Sequence, residues 1–486
     1  MKTIDRRLVY SIIGMAVFAI LINSCGIPKI AVKDENKNVP TSFNGALDSS
    51  IVLDSTNSAD IQWRDFFKDT CLIALIDTAL KNNMELNITI AEITAANSEI
   101  LRAKGEILPD LNLRVGAGIE KVGRHTSQGA ADDMSEIADG KKTPEHLPDF
   151  GVGLESSWEI DIWRKLRNAR DAALSRYTSS IEAKNFMVTK LVSEIAHSYF
   201  ELIALDNQLE IIQQNLEIQR NALEIVKMQK QAAKVTELAI RKFEAEVLKN
   251  RSRLFYIKQS IVETENRINF LVGRFPQPVQ RNSGSFMELT PDSISTGVPS
   301  QLLENRPDIR MAEYNLIASK LDVKVAKAKF FPSLRITLGL GYNAFNFKYF
   351  FNTPASLAYN ILGDLLAPLL NRAAIKAEYI SANARQLQAV YEYEKSILTA
   401  YTEVLNNLSK INNLKQSYDL KSLQVEALNK SINVANTLFM SARADYMEVL
   451  LTQRDALEAK MELIEIKQQQ LSAVVSMYRV LGGGWQ

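Results

Sequence analysis

From Leu369 to Leu481 the chain carries no glycine and no proline, and apolar residues return at every seventh position. Ile397, Val404, Ile411, Tyr418, Val425, Ile432 and Phe439 form that series, with Leu408, Leu414 and Leu428 three or four positions further on. Nothing in the stretch forces the backbone out of a helix. A sustained seven-residue repeat is the pattern of helices that wind around one another left-handedly. Leu154 to Val272 is a second stretch of the same kind, with Val188, Ile195, Leu202, Leu209, Leu216 and Leu223 on its sevens. Both stop at glycine, at Gly273 and at Gly482-Gly483-Gly484. Each is too long for one helix of a compact domain, so each predicts a helical hairpin. Folding back near the middle gives arms of roughly 55–65 residues, or about 80–100 Å. The turns are placed near Ala232–Glu237 and Ser441–Tyr446.

Period two takes over elsewhere. Behind Pro109, the apolar residues Leu111, Leu113, Val115 and Ile119 alternate with other types, and a second alternating run covers Phe150 to Ile160. These read as strands at about 110–119 and 150–160, joined by a long polar loop, Glu120 to Asp149. A helix at about Leu72–Lys104, capped by Asp69 or Thr70, precedes them. The order then recurs: Pro109, Leu111, Gly116 and Gly118 reappear as Pro332, Leu334, Gly339 and Gly341. His197, Tyr199 and Glu201 likewise pair with Thr399, Tyr401 and Glu403. The chain is a tandem duplication of helix, strand, loop, strand and long hairpin. The first repeat covers residues 61–280, with its hairpin at 164–272. A linker follows at 281–299. The second repeat covers 300–486, with strands at about 333–343 and 354–363 and a hairpin at 369–481. The fold class is mainly α with a small β part.

Strands of about ten residues with glycine and aromatics (Tyr342, Phe345, Phe347, Tyr349, Phe350 and Phe351) match the thickness of a membrane crossed by tilted β-strands. Four strands cannot close a barrel by themselves, and open edges are not tolerated in lipid. If these strands enter a membrane, several chains must supply the wall together; the soluble alternative is a small sheet on a helical stalk.

Composition narrows the partners. Lys plus Arg is 57 and Asp plus Glu is 56, a balance that gives nucleic acid no basic surface to bind. Two cysteines exclude a disulfide framework, and three scattered histidines, His125, His146 and His197, make no metal cluster. No cofactor is expected, and no compact nucleophile or phosphate-loop arrangement points to an enzyme. Lys2, Arg6 and Arg7 precede the apolar run Leu8 to Ile22, which reads as a secretory signal, residues 1–24, the competing reading being a short membrane anchor. Cys25 follows at once, and Ile22-Asn23-Ser24-Cys25 resembles the lipobox of bacterial lipoproteins, which implies lipidation of Cys25; the other reading is a leftover thiol. Residues 25–60 then form a polar tether. Cys71 reads as a small buried hydrophobe.

Several motifs resemble those of the TolC-like outer-membrane efflux factors, in their lipoprotein branch, over about Ile61 to Trp485. They are Trp158-Glu-Ile-Asp-Ile-Trp163, Arg306-Pro307-Asp308-Ile309, Ala367-Pro-Leu-Leu-Asn-Arg372 and the closing Leu481-Gly-Gly-Gly-Trp485. After Trp163 the family often has glycine; Arg164 stands there, which predicts a differently built turn. The resemblance implies a homotrimer with a twelve-stranded barrel in outer-membrane lipid and a periplasmic helical tunnel. It also implies a periplasmic adaptor and an inner-membrane RND- or ABC-type transporter as partners, with passive conduction of small molecules or ions. Family members often narrow the periplasmic tip with acidic rings. Asp445 sits where such a ring would lie, and Arg443 where it would link to a neighbour; the plain alternative is a solvated helix tip. Trp158 and Trp163 either mark a membrane–water boundary or pack inside the protein. A structural or adhesive coiled-coil lipoprotein is the competing reading of the whole chain; it explains the heptads but not the strands.

Overall fold

The computed structural model describes residues 27–43, 57–138, 140–284, 286–289, 295–368, 372–441 and 443–485. The signal segment and Cys25 lie outside the described residues. Seven long helices carry the chain: α1 (Thr70–Asn82), α2 (Met84–Gly105), α3 (Lys165–Gln231), α4 (Glu237–Val272), α5 (Pro307–Ala328), α6 (Ala373–Met440) and α7 (Tyr446–Val480). Four long strands accompany them: β1 (Asn112–Glu120), β2 (Leu147–Ile160), β3 (Ser333–Ala344) and β4 (Leu357–Leu366). The result is the expected mainly helical fold with a small β part. Among the described residues, no helix is long and apolar enough to cross a membrane.

Two compact units draw on both sequence repeats. One takes Thr94–Tyr177 and Tyr314–Val390 with the described residues up to Asp34; the other takes Glu35–Ile93, Thr178–Glu313 and Tyr391–Gln486. In the first unit the long strands form one antiparallel sheet in the order β1-β2-β3-β4. The central pair, β2 with β3, joins one repeat to the other, from Phe150 opposite Ala344 to Ile160 opposite Leu334. Beside the sheet, Phe330 and Tyr379 meet edge to face within a cluster that holds Val323 and Ala326.

The second unit is built on the predicted seam of α3. Ile195 and Leu202 are fully buried, and Val188 joins them in a core shared with Leu72 and Ile76 of α1, Ile268 of α4 and Tyr478 of α7. Cys71 lies half-buried against that core. Asp69 is the cap of α1: its carboxylate accepts from the backbone N–H groups of Cys71 and Leu72, at 2.8 and 3.3 Å. Its other oxygen accepts from the Tyr199 hydroxyl at 2.7 Å. The duplicate, Tyr401, donates instead to the Ser42 carbonyl at 3.2 Å and stacks on Phe43.

Three expectations change. The helix read over Leu72–Lys104 breaks at Asn83, whose side-chain oxygen caps Leu86 N–H while its amide donates to the Leu271 carbonyl; a tertiary contact claims the residue that starts a second helix. The loop read over Glu120–Asp149 contains a short helix, Ser127–Met134, and a two-stranded ribbon, Glu136–Ala138 with Lys141–Lys142. The loop also ends early, because β2 begins at Leu147. Finally, the hairpin arms are unequal. α3 and α6 have 67 and 68 residues against 36 and 35 for α4 and α7. In the first unit α5 packs Val323 and Ala326 against Tyr379 of α6, and Asp322 of α5 pairs with Arg176 of α3.

Candidate functional site

The sheet has two unlike faces because side chains alternate along each strand. The registers put Val115, Val152, Tyr342 and Leu357 in one row across all four strands, and Leu113, Leu154, Leu340 and Tyr359 in the next. Ala117, Phe150 and Ala344 continue that face in one direction; Ile336, Leu338 and Ile361 continue it in the other. Leu113, Val115, Tyr359 and Ile361 are each about 70% exposed, so most of this apolar face is uncovered within the chain, while Ala344 at its end is buried. The opposite face carries Arg114, Asp149, Glu155, Asn343 and Asn360, and holds a groove of about 560 Å³. Arg114 and Glu155 pair across it at 3.0 Å.

Glycines sit on the polar face alone in β1, β2 and β3: Gly116 opposite Gly151, and Gly153 opposite Gly341. A Cβ on Gly341 would stand 2.4 Å from the Val152 carbonyl oxygen and 2.6 Å from Gly153 Cα. The strands approach closely there only because neither residue has a side chain. β1 and β4 each pair on one edge only, so each leaves a row of backbone N–H and C=O groups open. Gly116, Gly118, Gly339 and Gly341 mark the repeat in the sequence, but the packing role they share with Gly151 and Gly153 shows only in the fold. The available signal was their shared parity, one G-x-G in each of three strands.

At the ends of the strands, two tryptophans tie sheet to helix. Trp158 Nε1–H donates to the Ile107 carbonyl at 3.0 Å, just beyond α2. Trp163 Nε1–H donates to the Pro332 carbonyl at 2.8 Å, just beyond α5, and its ring stacks on Phe331. Trp158 stands in the apolar row, opposite Ile336. Asp161 starts α3 by accepting from the N–H groups of Leu166 and Arg167. Burial works against its charge, but those bonds and the Arg167 guanidinium hold the carboxyl below its ordinary range. The turn itself corrects the sequence reading. Arg164 has φ 57°, the left-handed conformation that glycine favours. The turn is therefore of the glycine kind, with an arginine forced into it.

At the first hairpin turn, Ala233, two residues past the end of α3, takes the same left-handed conformation, closed by Lys234 N–H to the Gln229 carbonyl. Glu237, the first residue of α4, is paired with Lys230 and with Arg241 at 2.9 Å. The hydrogen bond from Lys230 is the main reason its carboxyl stays below the usual range. Asp445 precedes α7, exposed, and its side chain makes no capping bond. Arg443 is exposed beside it, its backbone N–H bound to the Leu438 carbonyl. The structure places both at the second turn, between α6 and α7.

The second unit also joins two motifs that lie far apart in sequence. Arg306, 4% exposed, donates Nε and Nη2 to Asp308 and Nη1 to both Glu403 and the Val480 carbonyl. Burial opposes this charge, but Asp308 and Glu403 outweigh it and raise the pKa. Pro307 opens α5, where its missing N–H costs nothing. Trp485 Nε1–H reaches the Asn305 carbonyl, and Arg310 lies over the Trp485 ring while pairing with Glu182 at 2.6 Å. Gly482, at φ 98°, leaves room for the Asn305 carbonyl, which a Cβ would meet at 2.5 Å. Among the described residues, no group of three or more His, Cys, Asp or Glu is placed to hold a metal ion.

Comparison with known proteins agrees with this arrangement. The sequence matches the family model described as Outer membrane efflux protein over residues 75–274 and 298–483. It is 29% identical over 432 residues to the pyoverdine export outer membrane protein OpmQ of Pseudomonas aeruginosa, covering 89% of each chain. It is 26% identical over 451 residues to the cation efflux system protein CusC of Escherichia coli, covering 92% of this chain and 93% of that one. The fold superposes on the crystal structure of a membrane protein from Pseudomonas aeruginosa with a TM-score of 0.82. The identity there is 25%, and the match covers 94% of this chain and 99% of the other.

Proposed function

The chain belongs to the outer membrane efflux protein family, and on that premise we propose that three copies close one barrel and conduct exported solutes passively across the outer membrane. The observation that carries the reading is the sheet: one face apolar and uncovered, one face polar and glycine-lined, and two open edges. In lipid, an unpaired strand edge leaves several polar groups without partners. β1 of one copy and β4 of the next remove both edges at once, and three copies give twelve strands, within the size range of outer-membrane barrels. A coiled-coil stalk without a pore leaves the two-faced sheet with no role.

The helices then line the periplasmic part of the path, and α3 alone is about 100 Å long at 1.5 Å per residue. A periplasmic adaptor and an inner-membrane transporter of the RND or ABC type deliver the cargo. OpmQ and CusC are named for unlike cargo, pyoverdine and cations; a shared channel design for both fits selection by the pump rather than the pore. Cys25 carries lipid that holds the mature N-terminus at the membrane. Trp158 and Trp163 sit at the inner membrane–water boundary. Asp445, repeated three times around the axis, forms an acidic ring at the tip that repels itself and attracts cations, and Arg443 reaches the neighbouring copy.

Planar bilayers test this reading. The purified protein is expected to give steady ion currents, and Asp445→Ala to raise conductance or weaken cation preference. Absence of current over repeated insertions defeats the channel reading; currents identical to wild type across pH 4 to 8 remove Asp445 from the gate.

A further inference from the structure

Three helices of the second unit meet in a core that is apolar except at one level. Toward the hairpin turns, Leu223 of α3, Phe243 of α4 and Leu450 of α7 share one cluster; farther from the turns, Ile212, Ile257 and Leu457 of the same helices share another. Between the two clusters α3 carries Asn215 and Gln219, α4 carries Asn250 and α7 carries Gln453. Gln219 and Asn250 are each 1% exposed and Gln453 is 4% exposed. Asn215 stands one turn from Gln219 on the same side of α3. Amide side chains from three helices thus form a buried polar layer with hydrocarbon on both sides of it.

The bonds within that layer do not balance. Asn250 Nδ2 donates to Gln219 Oε1 at 2.9 Å and reaches Glu246 Oε1, one turn away, at 3.4 Å. Gln219 Nε2, Gln453 Oε1 and Asn215 Oδ1 are sealed from solvent and bond to nothing among the described residues. A buried polar atom left without a partner is destabilising, and folded proteins pair nearly all of them. The set left over here is one donor and two acceptors, and that set selects its ligand. A cation cannot accept from Gln219 Nε2–H, and a halide cannot donate to two carbonyl oxygens. A water molecule accepts once and donates twice, and about three bonds is the usual number for a buried water. Because the three atoms are closed off from the surface, the occupant is one small enough to be enclosed as the helices pack.

We propose that Asn215, Gln219 and Gln453 enclose one buried water, and that this bridged layer sets the register of α7 against the α3–α4 hairpin. Apolar contacts tolerate a helix that slides or turns, whereas these bonds form in one alignment only. A buried amide in a helical seam fixes register in the same way, at a cost in stability. The proposal does not depend on the barrel. High-resolution crystals of the full protein test the site: density is expected about 3 Å from Gln219 Nε2, Gln453 Oε1 and Asn215 Oδ1 together. A direct Gln219–Gln453 bond, or no density among the three atoms, overturns it. Register is read from spin labels at two exposed positions, Arg251→Cys on α4 and Arg454→Cys on α7. The labels sit in a Cys71→Ala background, with labelled chains diluted among unlabelled ones, and one narrow distance between them is expected. Adding Asn215→Leu/Gln219→Leu/Asn250→Leu/Gln453→Leu is expected to raise the urea midpoint and to broaden or split that distance; an unchanged narrow distance overturns the register role. Gln453→Met alone expels the water and leaves its other partners buried, so its urea midpoint is expected to fall below wild type. An equal or higher midpoint overturns the proposal, whether or not the fourfold variant folds.

Discussion

Arg306→Met tests how the two distant motifs of the second unit hold together. The side chain is buried, and its removal strands three acceptors: the Asp308 carboxylate at 2.7 and 3.0 Å, Glu403 at 2.8 Å and the Val480 carbonyl at 2.9 Å. Breaking a buried ion pair by deleting one partner costs about 3–5 kcal/mol. Here Asp308 keeps 20% of its side chain exposed and Glu403 33%, so water recovers part of what the carboxylates lose. The expected cost is therefore about 3 kcal/mol, roughly a hundredfold in the folding equilibrium. The assay is urea unfolding of the helical circular dichroism signal in mild detergent. Arg306→Met is expected to lower the midpoint clearly, and Arg306→Met/Asp308→Asn/Glu403→Gln to recover much of the loss, because it removes the stranded charges. Faster carboxypeptidase trimming of the C-terminus is expected in the single variant, since Trp485 is held at Asn305 beside the same site. A single variant that melts with wild type, or a triple variant no better than the single, refutes the reasoning.

Other perturbations follow from the same geometry. Gly341→Val places a side chain where a Cβ alone already meets the Val152 carbonyl at 2.4 Å; overpacking of about 1–3 kcal/mol per chain is expected to reduce the trimer fraction on native gels while leaving helical content intact. Arg164→Gly relieves the left-handed strain at φ 57° and is expected to stabilise the strand-to-helix turn by up to about 1 kcal/mol. Only an exposed ion pair with Asp171 at 3.9 Å is lost in exchange, and an unchanged or lower urea midpoint counts against it. His197 is held at a pKa of about 4 by burial, with Arg479 and Lys410 adding to the effect, against 6.5 when free. Its neutral form thus contributes stability that is complete above pH 6.5 and is lost as pH falls toward 4, on the order of 3 kcal/mol. His197→Gln is expected to flatten the stability–pH curve in that window, and parallel curves for the two proteins remove His197 as the cause.

Much of the architecture was legible because it rests on local repetition. The sevens from Val188 to Leu223 mark the buried seam of α3, and the alternation from Leu111 to Ile119 marks the uncovered face of β1. A period in the sequence needs no knowledge of what lies across from it, since the helix or strand itself turns spacing into a face. The sequence also stated a condition: if the strands enter a membrane, several chains must supply the wall, as four strands cannot close. What spacing cannot state is which distant segments meet. The break at Asn83 depends on the Leu271 carbonyl, reached through nearly two hundred residues of intervening chain. The pairing of β2 with β3 and the junction of Arg306 with Val480 are decided likewise. In each, the partner is chosen by packing and by the need of buried polar groups for bonds, and those exist only once the chain has folded. Arg164 makes the same point at the smallest scale: its side chain gave no hint of a left-handed turn, and the surrounding caps from Asp161 impose one.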